Sequence, residues 1–226
     1  MSIYPCTLFN SLGRYPYLKA ALFVSLLFPC FVSAHPHAWV DTNTYLNADD
    51  THITSIYMTW AFDADTSEYM LQGEDISPEH INETLQALAT SVVGNMYNDH
   101  YFTYLYEGNT PIRYKDARYP QMVQGKGKNK NKLILSFEIP LSKPIEFKGK
   151  KFRLYIYDET YFVDMSWLSK SDMQLADSIK SKCTGELVEP KVSDTQRAYT
   201  LALAADVAPD NQLGRFFSQK YQLDCR

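Results

Sequence analysis

Two runs near the start of the chain alternate apolar and polar side chains with a period of two. They are separated only by turn-forming residues. His37 to Ala48 is rich in Val, Thr, Tyr and Trp. His52 to Phe62 places Ile56, Met58, Trp60 and Phe62 on one side. Side chains in a strand point to opposite faces in turn, so this pattern specifies a long hairpin with one buried face. The intervening Asn47-Ala48-Asp49-Asp50 is turn chemistry. The register expected is one in which His37 faces Ala61 and His35 faces Asp63. Ala38 and Val40 then join the apolar row, and both histidines lie on the other face.

The rest of the chain reads as an extension of that hairpin. Ser77-Pro78-Glu79 has the composition of a helix start, with Ser77 as N-cap and Pro78 in the first turn. Ile81, Leu85, Leu88, Ala89 and Val92 then recur at helical spacing to about Met96. Strands are expected at Tyr101–Tyr106, Gln121–Gln124, Leu133–Ile139, Lys151–Tyr157 and Tyr161–Ser166, with a last one ending at Cys225. The lysine-rich Gly125–Lys132 reads as a solvated hairpin turn, and Thr195–Ala205 as a short helix. The expected fold class is α+β: mainly antiparallel sheet with two or three helices, in a single domain over residues 35–226.

Residues 1–34 carry Arg14 and Lys19, then the apolar run Ala20–Val32, then Ser33-Ala34. A basic start, a short apolar core and small residues at a cut site describe a cleaved signal peptide, with His35 as the first mature residue. A retained signal anchor is the alternative, but a bilayer span takes about 20 apolar residues and Pro29 interrupts this run. The expected location is the periplasm, and the mature protein is not expected to be integral to a membrane. Cleavage leaves Cys183 and Cys225, a natural disulfide pair in an oxidising compartment, with two free thiols as the alternative. A net charge of −4 argues against a nucleic-acid partner.

No hydrolase, zinc-protease, phosphate-loop or dinucleotide motif is present, and the chain is not expected to be an enzyme. The chemistry concentrates at the mature start, His35-Pro36-His37-Ala38-Trp39-Val40-Asp41. A free amine and imidazole on His35 can chelate one ion, and His37 would share its face. Pro36 has no amide proton, which blocks the square-planar mode that uses deprotonated backbone amides. Asp63 is the carboxylate that the expected register brings opposite, with Asp65 a weaker candidate. Two solvated histidines at a frayed terminus are the alternative to metal binding.

The ordered set HPHAWVD (35–41), WAFD (60–63), HYFT (100–103), YDETYFV (157–163) and LGRFF (213–217), followed by Cys225, resembles the domain-of-unknown-function 1007 family. The resemblance covers nearly the whole mature chain. It implies a periplasmic component of an ABC-type transport system associated with nickel, cobalt or zinc permeases. It also implies a divalent transition metal as cofactor or cargo and an inner-membrane metal permease or ABC-type transporter as partner. The ligand set it implies is His35, His37, Asp41, Asp63, His100 and Asp158. This chain departs from the family in reading Phe62-Asp63-Ala64 where a second acidic residue is common. Its Gly73-Glu74-Asp75-Ile76 is too short for the calcium loop of many members. Two other readings are a metal-free envelope adaptor and a copper enzyme with an N-terminal histidine chelate.

Overall fold

The computed structural model describes residues 36–202 and 213–226. The hairpin is β1 (Ala38–Ala48) and β2 (His52–Phe62), paired antiparallel. Val40, Thr42, Thr44 and Leu46 are buried on the same face as Ile56, Met58, Trp60 and Phe62, as the alternation requires. The register differs from expectation: Ala61 faces Asp41 rather than His37, a slip of four residues. The cause is the turn. Asp49 accepts the N–H groups of Thr51 (2.8 Å) and His52 (2.7 Å), and its own N–H donates to the His52 carbonyl. The expected register would centre the reversal on Asp49 itself and leave no residues to make the bend. Because the slip is even, every side chain keeps its face, but Asp63 comes to lie beside Trp39 instead of opposite His35.

Around the hairpin grows one sheet in the order β5 (Arg118–Gln124), β6 (Leu133–Glu146), β2, β1, β8 (Val163–Ser166), with β9 (Met173–Leu175) also on β1. β8 and β9 run parallel to β1; the other pairings in this sheet are antiparallel. A second, antiparallel sheet has the order β10 (Cys183–Val188), β11 (Lys220–Cys225), β7 (Lys151–Ile156), β3 (Thr103–Glu107), β4 (Thr110–Pro111). The inner faces meet in one core, where Leu46 and Met173 of the first sheet join Leu105, Leu154 and Leu223 of the second around a small apolar void. Trp60 lies edge-on to Phe137 at 5.0 Å. Burying side chains of this size contributes about 2 kcal/mol each.

Five helices complete the described residues: α1 (Ala64–Leu71), α2 (Ile81–Asn95), α3 (Asp177–Lys180), α4 (Asp194–Ala202) and α5 (Leu213–Phe217). This is the expected α+β class. Helix α2 starts later than its Ser77-Pro78 signal suggests. The Ser77 hydroxyl lies 3.1 Å from His80 Nδ1 rather than on a helix amide, so Ser77–His80 forms a separate turn. Helix α1, which periodicity does not announce, is created by its cap at Asp63. Among the described residues no helix is long and apolar enough to cross a membrane.

Candidate functional site

The loop after β7 is organised by one carboxylate. Asp158, 8% exposed, accepts the N–H of Thr160 (2.9 Å), the Thr160 hydroxyl (2.9 Å) and the N–H groups of Phe162 (2.9 Å) and Val163 (3.1 Å). Four donors converging on one buried side chain fold the loop back on itself, since each would otherwise be an unsatisfied polar group. The loop then reaches outward from both of its flanks. The Phe162 carbonyl accepts the His37 N–H at 2.8 Å, and the two rings stack at 4.6 Å. Glu159 accepts the Tyr104 hydroxyl at 3.3 Å.

Helix α5 closes the same loop. The Gly214 N–H donates to the Glu159 carbonyl at 3.1 Å, and a Cβ on Gly214 would stand 1.7 Å from the Asp158 carbonyl oxygen. Only glycine permits that approach. Three residues further along the motif, Phe217 stacks on Tyr161 at 4.3 Å. The Tyr157 N–H donates to the Phe102 carbonyl, which ties in the His100–Thr103 segment. Four of the five sequence segments therefore touch at this loop: those of His37, His100–Thr103, Tyr157–Val163 and Leu213–Phe217. The fifth, Trp60–Asp63, joins through Trp39, whose N–H donates to Asp63 at 2.8 Å.

His100, Tyr101 and Phe102 are consecutive left-handed residues, with φ of 53°, 55° and 52°. Such residues cost about 1–2 kcal/mol each. The turn is held because the Tyr101 hydroxyl accepts the Ala117 N–H and Phe102 packs 6.3 Å from Trp60. The result is an exposed His100 edge-on to Tyr104 at 6.0 Å, with Tyr104 stacked on Tyr157 at 4.3 Å. Tyr97, His100, Tyr104, Arg113 and Glu159 line a cleft of about 590 Å³ there. Burial, reinforced by the Glu159 charge, pushes the Tyr104 hydroxyl far above its ordinary range, so it remains a proton donor.

The expected metal ligands are dispersed across this arrangement. His35 lies outside the described residues, as do the expected leader and its expected cut site. His37 stands exposed at the start of β1 against Phe162. Asp41, on the outer face of β1, pairs with Lys132 Nζ at 2.7 Å. Asp63 caps α1, accepting the Thr66 N–H (2.8 Å), the Thr66 hydroxyl (2.6 Å) and the Trp39 N–H (2.8 Å). Asp158 holds its loop, and His100 packs on Tyr104. Among the described residues no three His, Cys, Asp or Glu side chains come together as a metal-holding group. The carboxylate that sequence reasoning missed is Asp164. It pairs in register with Trp39 and shares a face with His37. Burial raises its pKa, against hydrogen bonds from the Ser166 (3.2 Å) and Tyr161 (3.4 Å) hydroxyls. The alternation from Phe162 to Asp164 was the available signal.

Asp63 has a testable signature. Burial pushes its carboxyl up, but the Thr66 side chain and backbone and the Trp39 N–H together pull it below the ordinary value. Its stabilising contribution is therefore present above its unfolded value of 3.8 and is lost as pH falls through the lower folded value. Asp63→Ala is expected to lose about 1 kcal/mol at neutral pH, the usual worth of an N-cap. Urea unfolding should show the gap between the two proteins closing as the pH is lowered through the acid range. A gap of constant size would refute the cap.

A protein of Haemophilus influenzae described as an uncharacterized protein is 32% identical to this chain over 209 residues, covering 89% of this chain and 98% of that protein. A family model described as "Protein of unknown function (DUF1007)" matches residues 20–225. The ordered motifs, the antiparallel α+β fold that gathers them around Asp158 and this near-complete match place the chain in the DUF1007 family.

Proposed function

We propose that the protein is exported, takes up a divalent transition metal at its mature N-terminus and serves a membrane metal transporter. The observation that carries this reading is the fixing of His37. Its N–H is held by the Phe162 carbonyl and its ring by the Phe162 ring, two residues past the expected free amine. Asp41, Asp63 and Asp158 are engaged within the fold, and the ligands proposed for the ion are the amine and imidazole of His35 and the imidazole of His37. Asp164 pairs in register with Trp39, two residues from His37. Zinc, nickel and cobalt all accept such a nitrogen-rich set. A site that draws so few ligands from the folded body suits transfer more than storage.

Calorimetric titration of the mature protein with zinc, nickel and cobalt tests this. His37→Ala should weaken binding at least tenfold, about 1.4 kcal/mol. One extra residue before His35 should do comparable harm by displacing the amine. Affinity should fall as the pH is lowered, because the imidazoles must be unprotonated to bind the ion. Unchanged binding by both altered proteins would remove the metal reading and favour an interaction protein instead. That second reading is supported by the aromatic outer side of the second sheet, where Arg153 lies over Tyr106 at 5.7 Å and Tyr104 stacks on Tyr157.

A further inference from the structure

Two large apolar side chains protrude from neighbouring segments. Leu168, after β8, is 70% exposed, and Phe216, in α5, is 51% exposed. Their segments are joined by Gln219. Its side-chain carbonyl accepts the Trp167 N–H at 2.8 Å, and its amide donates to the Trp167 carbonyl (3.1 Å) and to Glu189 (2.9 Å). Beside Phe216 is a cleft of about 580 Å³ walled by Lys191, Arg215 and Lys220, with Tyr155 also lining it. Arg215 lies over the Tyr155 ring at 5.5 Å. Lys170 follows Leu168 by two residues and is exposed. Of the acidic groups, Glu189 also lines the cleft and accepts from the Gln219 amide, and Asp172 is taken up by the backbone and hydroxyl of Ser169. None of the four cations forms an ion pair among the described residues.

We propose that this face docks on an anionic phospholipid bilayer, with the Lys191–Arg215–Lys220 cleft taking a headgroup phosphate and Leu168 and Phe216 entering the interface. Charge complementarity selects this occupant. A partner protein would cover the two apolar side chains equally well, but would give no reason for three cations lining one cleft beside Phe216 and outnumbering its single carboxylate, Glu189. Aromatic and aliphatic tips flanked by Lys and Arg match the two layers of a membrane surface, apolar beneath and anionic above. Each Lys or Arg near such a surface multiplies affinity about fivefold, and the effect fades with added salt. The cleft supplies a specific phosphate contact, while the protruding pair supplies the apolar burial that electrostatics alone lacks.

The test is co-sedimentation of the exported protein with phosphatidylcholine vesicles and with vesicles mixed with phosphatidylglycerol. Its N-terminus is sequenced first, so that an uncut apolar leader cannot supply the binding. Binding is expected to be at least about tenfold tighter to the anionic vesicles and to weaken as salt is raised. Leu168→Ser/Phe216→Ser and Lys191→Glu/Lys220→Glu should each reduce it at least about fivefold, with circular dichroism spectra unchanged. If the second pair misfolds, Lys170→Glu/Lys191→Glu replaces it. Equal binding to both vesicle types, or none, overturns the proposal. So does loss of binding in millimolar inorganic phosphate, which would mark a site for the free anion instead of a membrane face.

Discussion

Asp158→Ala is expected to destabilise the protein by about 3 kcal/mol, because it strands several partly buried donors at once. The N–H groups of Thr160, Phe162 and Val163 all lose this acceptor, and Phe162 keeps only the more distant Thr160 hydroxyl at 3.4 Å. Asp158→Asn should be intermediate, since one carbonyl oxygen remains but the other is replaced by a donor. Urea unfolding measures the loss. A second readout is local: the His37 ring proton resonances should move as Phe162 leaves its stacked position. If His37 is unaffected while stability falls, the loop is structural without positioning the terminus. If stability falls by less than about 1 kcal/mol, the carboxylate does not organise the loop.

Removing the Cys183–Cys225 bond should have the largest effect on stability, about 4 kcal/mol in the chain-entropy model for a sequence separation of 42. The bond joins directly opposed residues of β10 and β11. Strand β11 is interior to the second sheet and carries Tyr221 and Leu223 into the core. The paired Cys183→Ser/Cys225→Ser protein should unfold at markedly lower urea than the oxidised form, and thiol reduction of the native protein should match it. Equal midpoints for oxidised and reduced protein would show that sheet pairing alone holds β11. The consequence reaches the site, because α5 precedes β11 and its Gly214 closes the Asp158 loop.

Much of the fold was legible in local pattern. The period-two rows of the hairpin assigned faces correctly, as the buried set from Val40 to Leu46 and Ile56 to Phe62 shows. Alternation is a property of the strand backbone and survives any even slip in pairing. The lone cysteine pair was equally readable once the leader was set aside. Helix α1 was not, since its start depends on Asp63 finding the Thr66 and Trp39 amides. Strands β4, β9 and β10 are too short or too mixed to announce themselves before a partner strand aligns them.

The candidate site divides along the same line. Residue type and spacing singled out His35, His37 and Asp63, and the family resemblance of the five segments added Asp41, His100 and Asp158. What each carboxylate does was decided by tertiary structure. Asp41 meets Lys132, 91 residues away in sequence, and Asp63 meets Trp39, 24 residues away. Asp158 is committed by its own loop, yet the closure of α5 over that loop depends on the glycine pressed against it. A carboxylate is an acceptor for whichever donor reaches it first, and sequence spacing does not say which donor that is. The hairpin turn, through one Asp49 side chain, set the register and separated Asp63 from the position that composition and alternation had assigned to it.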